Sequence, residues 1–184
     1  MALSGLARAL TGAVVLGALS TAYDFIWAAW IPSHRPVYGL VHGMTLLSAV
    51  GLVLGWPPRR PLAGLAGGAL AGLAAAASFY AMAPWLRMAA MFPAWALLWL
   101  LFAALDAALN RRPVLTAEMA ARGAIAAILS GAAFWAISGI WLEHPPEGPD
   151  YAWNFVAWTF AYVPGFAALL VQPRRRLSVP SQGA

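Results

Sequence analysis

Six apolar runs, each long enough to cross a lipid bilayer, fill most of this chain and leave it few other ways to fold. A helix needs about 20 apolar residues to span the hydrocarbon core. Inside lipid, only helices and closed barrels satisfy every backbone polar group. The runs cover roughly residues 6–30, 36–56, 63–84, 88–109, 117–141 and 151–171. The breaks between them, IPSHRP, WPPRRP, APWLR, NRRPVLT and EHPPEGPD, all carry proline, arginine or both. Only 9% of the 184 residues are charged, against about 25% in a soluble domain, so lipid has to be the solvent. The sequence predicts an all-α fold: a polytopic integral membrane bundle of six transmembrane helices over residues 1–172, then a basic disordered tail over 173–184. Pro93 falls in the first turns of the fourth run, where it either begins the helix or kinks it. The first run exceeds the apolar core of a secretory signal and lacks a clean cleavage site, so a retained helix is expected.

Arginine placement orients the bundle. With both termini on one side, that side holds Arg8, Arg59, Arg60, Arg111, Arg112, Arg122, Arg174, Arg175 and Arg176, and the opposite side only Arg35 and Arg87. Nine against two puts both termini in the cytoplasm by the positive-inside rule, in a bacterial inner membrane. The net charge of +5 then reads as topology determinants and lipid-headgroup contacts, not as a nucleic-acid surface. Trp30, Tyr38, Trp85, Trp141, Tyr151 and Trp153 fall at the outer ends of the spans, as an aromatic belt would. The acids Glu143, Glu147 and Asp150 collect at the same level. There is no cysteine, which excludes disulfides, thiolate metal sites and cysteine nucleophiles.

Candidate functional residues share one layer near the outer face. Asp24 lies six residues before Trp30, roughly 9 Å below the outer boundary at 1.5 Å per residue. His42 lies six residues after Pro36 on the next span, at a matching depth. Ser78 and Tyr80 precede Pro84 on the third span, and Asn154 sits just inside the start of the sixth. An Asp at mid-span costs about 2.5–3.5 kcal/mol on insertion scales, so Asp24 should face inward and find a partner. His42 is the expected one. The pair reads as a structural clamp between helices 1 and 2, as the polar end of a ligand pocket, or as part of a catalytic or metal site. Metal ligands would be Asp24, His34, His42 and His144, since imidazole and carboxylate suit zinc, but their spacing matches no zinc signature. Asp106, close to Arg111 and Arg112, is expected to form a capping or surface ion pair within reach of water. Glu118 and Arg122 form an i,i+4 pair that supports the fifth helix.

Gly64, Gly68 and Gly72 recur at intervals of four, which puts them on one face and lets another helix approach closely. The expectation is a centrally packed third helix. The alternative is a homo-oligomer seam or a contact with a partner membrane protein. Ala22-Tyr23-x-x-Ile26-x-x-x-Trp30 also parallels Ala133-Phe134-x-x-Ile137-x-x-x-Trp141, a hint that hairpins 1–2 and 5–6 are related.

The order Gly139-x-Trp141, Pro149-Asp150-Tyr151, Trp158 and Pro164-Gly165 resembles the last two spans of the insulin-induced gene (Insig) family and its bacterial homologues. Trp30-Ile31-Pro32 is similar to that family's Trp-Val-Pro element, and Asp106 before an arginine pair to the Asp-Arg element closing its fourth span. The element at Trp30 lacks the family's second proline and following cysteines, and His34 and the His42-Gly43 pair stand outside its pattern. The resemblance implies a helical bundle with a central cavity for a sterol or diacylglycerol-like lipid, and no catalysis. Together these readings lead to a non-enzymatic membrane protein with a bound lipid and no cofactor. Its polar contacts would be Asp24, His42, Ser78, Tyr80 and Asn154. The rivals are a membrane-embedded metal-dependent hydrolase using Asp24 and the histidines, with zinc, and a small subunit of a larger membrane complex.

Overall fold

The structure, a computed structural model, describes residues 2–30, 36–114, 116–138 and 150–171. The tail over 173–184, together with His34, His144 and Trp141, lies outside the described residues. Six α-helices follow in order: α1 (Ala2–Trp30), α2 (Pro36–Gly55), α3 (Pro61–Leu86), α4 (Met91–Leu109), α5 (Ala117–Ser138) and α6 (Asp150–Leu170). A 3-10 turn, Arg87–Ala90, leads into α4. All six helices are long and apolar enough to cross a membrane, as befits an integral membrane protein. Pro93 is the third residue of α4, where a backbone N–H has no intrahelical acceptor anyway, so it begins the helix instead of kinking it. α3 runs through Pro84 to Leu86, slightly past the expected end, and the proline falls where only the last turn is affected.

Chain neighbours pack side by side around a ring. α2 lies against α3, α3 against α4, α4 against α5 and α5 against α6, and α6 returns to α1. The seam between α1 and α2 is slight. Hairpins 1–2 and 5–6 therefore pack differently, since α5 and α6 are in extensive contact.

The helix at the centre is α4, not α3. Half of its most apolar stretch is buried, against 28% in α3, and it touches α2, α3, α5 and α6. The reason lies in side-chain size. Trp95, Trp99 and Phe102 of α4 interleave with Phe134 of α5 and with Trp158, Tyr162 and Phe166 of α6. Large rings fill the space among several helices, while glycines serve one close neighbour. On α3 that neighbour is α2. A Cβ added at Gly68 would sit 2.5 Å from the Leu47 carbonyl oxygen and 2.8 Å from Gly51 Cα. A Cβ at Gly64 would meet Gly51 and Gly55, and one at Gly72 would meet Gly43 and Leu47. The stripe thus brings two backbones together within the chain, as small-residue interfaces do in lipid.

Two helix ends on the arginine-rich side close in the same way. At α2, Arg59 N–H donates to the Trp56 carbonyl and Arg60 N–H to Gly55 (3.1 and 2.8 Å). At α4, Arg111 N–H donates to Ala108 and Arg112 N–H to Ala107 (3.1 and 2.8 Å). Each is a Schellman closure with arginine, at φ 58° and 54°, in the left-handed position that glycine normally takes. A cation there faces the negative end of the helix dipole.

Candidate functional site

The face of α1 that carries Ala9, Ala13, Leu16 and Ser20 is buried. Asp24 continues that face one turn beyond Ser20, so its carboxylate points into the bundle. It meets three donors there. His42 Nε2 on α2 lies 3.2 Å from Oδ1. On α6, Asn154 Nδ2 and Trp158 Nε1 donate to Oδ2 at 3.0 and 2.7 Å. Asn154 and Trp158 stand at i and i+4 on one face, continued by Tyr162, whose hydroxyl is 2.9 Å from Ser20 Oγ. One acid therefore ties α1 to both α2 and α6, and charge-assisted hydrogen bonds of this kind offset its cost in lipid. The side chains of His42 and Asp24 remain only 19% and 17% exposed.

Next to this, Tyr23 covers His42, with ring centroids 4.7 Å apart. The Tyr23 hydroxyl is 2.6 Å from Thr45 Oγ1. Thr45 already donates to the Val41 carbonyl at 2.8 Å, so Tyr23 is the donor of that pair.

On the other side of His42 lies a groove of about 290 Å³ between α2, α3 and α4, with Trp158 of α6 in its wall. Gly39, Gly43 and Gly72 are among its lining, and Phe79, Trp95 and Leu98 supply its apolar surface. Its polar side chains are His42 and Tyr80, with the Trp158 indole N–H turned to Asp24. The Tyr80 hydroxyl packs against Gly39, where an added Cβ would collide with it. Of the five residues expected to contact a ligand, the structure brings His42 and Tyr80 to the groove. Asp24 and Asn154 stand behind its wall and hold His42 in place. Ser78 joins neither, because its Oγ donates to the carbonyl of Ala75 in its own helix at 2.8 Å. Trp158 was not among the expected contacts, although its place one turn after Asn154 on α6 marks the same face.

For a metal, the geometry is thin. Among the described residues no three His, Asp or Glu side chains come together, and His34 and His144 lie outside them. Both Asp24 oxygens already accept hydrogen bonds from protein donors.

The opposite end carries a second polar cluster, and it corrects an expectation. Asp106 is 4% exposed and does not reach water as a surface acid would. It pairs with Arg112 and accepts a hydrogen bond from Asn110 Nδ2 at 2.9 Å. The Schellman turn at Arg111 folds Arg112 back over the last turn of α4 and so makes that pair. Arg122 does more than support its own helix. Its Nε and one terminal nitrogen donate to the Ala168 and Leu169 carbonyls, both at 2.7 Å, which caps α6. Its other terminal nitrogen is 3.7 Å from exposed Glu118. Thr116 Oγ1 accepts the Met119 N–H at 3.1 Å and caps the start of α5. Trp85, Trp153 and Tyr38 are exposed at 80%, 52% and 39%, at the ends of α3, α6 and α2 where an aromatic belt belongs.

No protein-family model, curated protein or solved structure matches the chain.

Proposed function

We propose that this membrane protein is a non-enzymatic binder of a lipid or another apolar ligand, held in the groove between α2, α3 and α4. The observation that carries this reading is the lining itself. A mostly apolar trough of about 290 Å³ includes the polar side chains of His42 and Tyr80 in its lining, and apolar surface with a few polar groups is the common form of a small-molecule site. Asp24 orients His42 through its Nε2, and His42 lines the groove. The use of an internal cavity for a neutral lipid is also what the Insig resemblance implies. The arginine count supports an orientation with both termini cytoplasmic, in a bacterial inner membrane. The glycine face of α3 serves α2 within the chain, so a homo-oligomer or partner membrane protein would pack on another face.

The test is mass spectrometry of lipids that co-purify with the protein in mild detergent. One ligand class enriched over bulk lipid, and reduced by Tyr80→Phe and His42→Ala, is the expected result. Enrichment of nothing, with no thermal shift from any lipid class, would count against the site, because a ligand bound only by the native state raises apparent stability. Stoichiometric zinc that disappears in His42→Ala would instead favour the metal-dependent hydrolase. Recovery only alongside other membrane proteins would favour a subunit role.

A further inference from the structure

The slight seam between α1 and α2 is not uniform along its length. Toward the outer end it is fastened by the Asp24–His42 contact and by the Tyr23–Thr45 hydrogen bond. Toward the arginine-rich end it opens into a separate groove of about 390 Å³. Arg8, Thr11 and Val15 form one wall, Val53 and Trp56 the other, and Leu170 of α6 lies in its lining. Among the described residues Arg8 is its one charged lining residue, and Arg8 also borders a small adjoining cavity with Asp106 and Asn110. From Arg8 to Val15 the groove runs seven residues, about 10 Å at 1.5 Å per residue. That is well short of a membrane crossing and lies within one leaflet. A partner helix spanning the bilayer would need a seam open along its whole length, and the fastened outer half denies it one. A lipid tail needs only the half that is open.

We propose that this groove holds one acyl chain of an anionic phospholipid, with the headgroup phosphate on the Arg8 guanidinium. The guanidinium fork matches phosphate oxygens in paired hydrogen bonds. Trp56, 70% exposed at the same end, is an amphipathic ring of the kind that sits at headgroup level. The arginines of this end add a field that favours anionic over zwitterionic lipid. The site is separate from the His42 groove and does not depend on the function proposed for it.

Native mass spectrometry of the full chain tests this, after exchange into detergent carrying equal amounts of phosphatidylglycerol and phosphatidylcholine. The expected result is one phosphatidylglycerol retained per chain after phosphatidylcholine has been stripped. Arg8→Gln should lower that preference about fivefold, the share of one basic residue at a charged surface, and Arg8→Lys should keep most of it. Thr11→Phe, which fills the groove from its wall, should reduce retention of both lipids with the melting temperature in lipid-free detergent unchanged. Phosphatidylglycerol retention that falls with Tyr80→Phe, on α3 and away from this seam, but not with Arg8→Gln would assign the lipid to the His42 groove and overturn the proposal, so the two sites succeed or fail separately. Equal retention of the two lipids by the unaltered chain would overturn the proposal. So would Arg8→Gln indistinguishable from the unaltered chain, or a dimer whose formation expels the lipid.

Discussion

Asp24 accepts three donors from two other helices, so the substitutions around it should rank by what each leaves unpaired. Asp24→Ala strips His42, Asn154 and Trp158 of their acceptor at once. Breaking a fully buried pair costs about 3–5 kcal/mol, and partial exposure of this one lowers the expectation to about 2–3 kcal/mol. Asp24→Asn should be nearly as harmful, because it turns an amide donor toward groups that are themselves donors. His42→Ala leaves two of the three contacts standing and should cost about 1 kcal/mol. Asp106→Ala should match or exceed Asp24→Ala, since Asp106 is the more buried acid and would strand Arg112. Melting temperatures of the four variants in one detergent check this order, and a His42→Ala loss larger than that of Asp24→Ala would contradict it. Residue counts along each span were enough to place Asp24, His42 and Asn154 at one depth. They could not show direction. Ser78 fits the depth but spends its hydroxyl on its own helix, as serine in apolar surroundings often does. Trp158 stands out in sequence only through the family resemblance, which says nothing of its i+4 relation to Asn154 and so does not place it beside Asp24. Asp106 reads as a surface acid, because only the backbone turn at Arg111 brings Arg112 back over it.

Among the helices, two glycines of equal appearance in sequence should behave oppositely. Gly68 faces the α2 backbone at contact distance, so Gly68→Ala has to push α2 and α3 apart and should cost about 2 kcal/mol, in the range for overpacking. Gly131 on α5 has nothing within 4 Å of an added Cβ. Gly131→Ala should therefore leave packing intact and gain about 0.5–1 kcal/mol from backbone entropy. Thermal unfolding of the two single variants should move in opposite directions, and a loss in both would mean that α5 has a neighbour on that face. The helices themselves were legible, because apolar runs bounded by proline and arginine leave little choice of end points. Their arrangement was not. In water an apolar stripe marks the face that turns inward, but in lipid both faces are apolar and that signal vanishes. What remains is residue size. The stripe Gly64, Gly68 and Gly72 correctly announced a close neighbour, yet it did not announce the centre, which went to the bulky rings of α4.

For the molecule as a whole, the arginines divide the two ends so unequally that the division can be tested without disturbing the fold. Of the seven described arginines, six fall on one side and only Arg87 on the other. Schellman turns hold Arg59 and Arg111 at helix ends there, while Arg112 folds back onto Asp106 of α4 and Arg122 ties α5 to α6. Moving that end across the membrane during insertion would drag a cluster of permanent cations through the hydrocarbon, which sets the expected orientation. The chain has no cysteine, so a single introduced thiol reports one position alone. Val114 lies in the α4–α5 connection on the arginine-rich side, and Trp85 is 80% exposed near the opposite end of α3. In intact cells a membrane-impermeant maleimide should label Trp85→Cys and spare Val114→Cys, and permeabilisation should make both reactive. The reverse pattern would place the arginine-rich end outside, and with it the mouth of the α1–α2 groove and its Arg8. Equal labelling of both from the start would mean that the two positions do not lie on opposite sides of a membrane, which would defeat the six-span topology itself and not merely its direction.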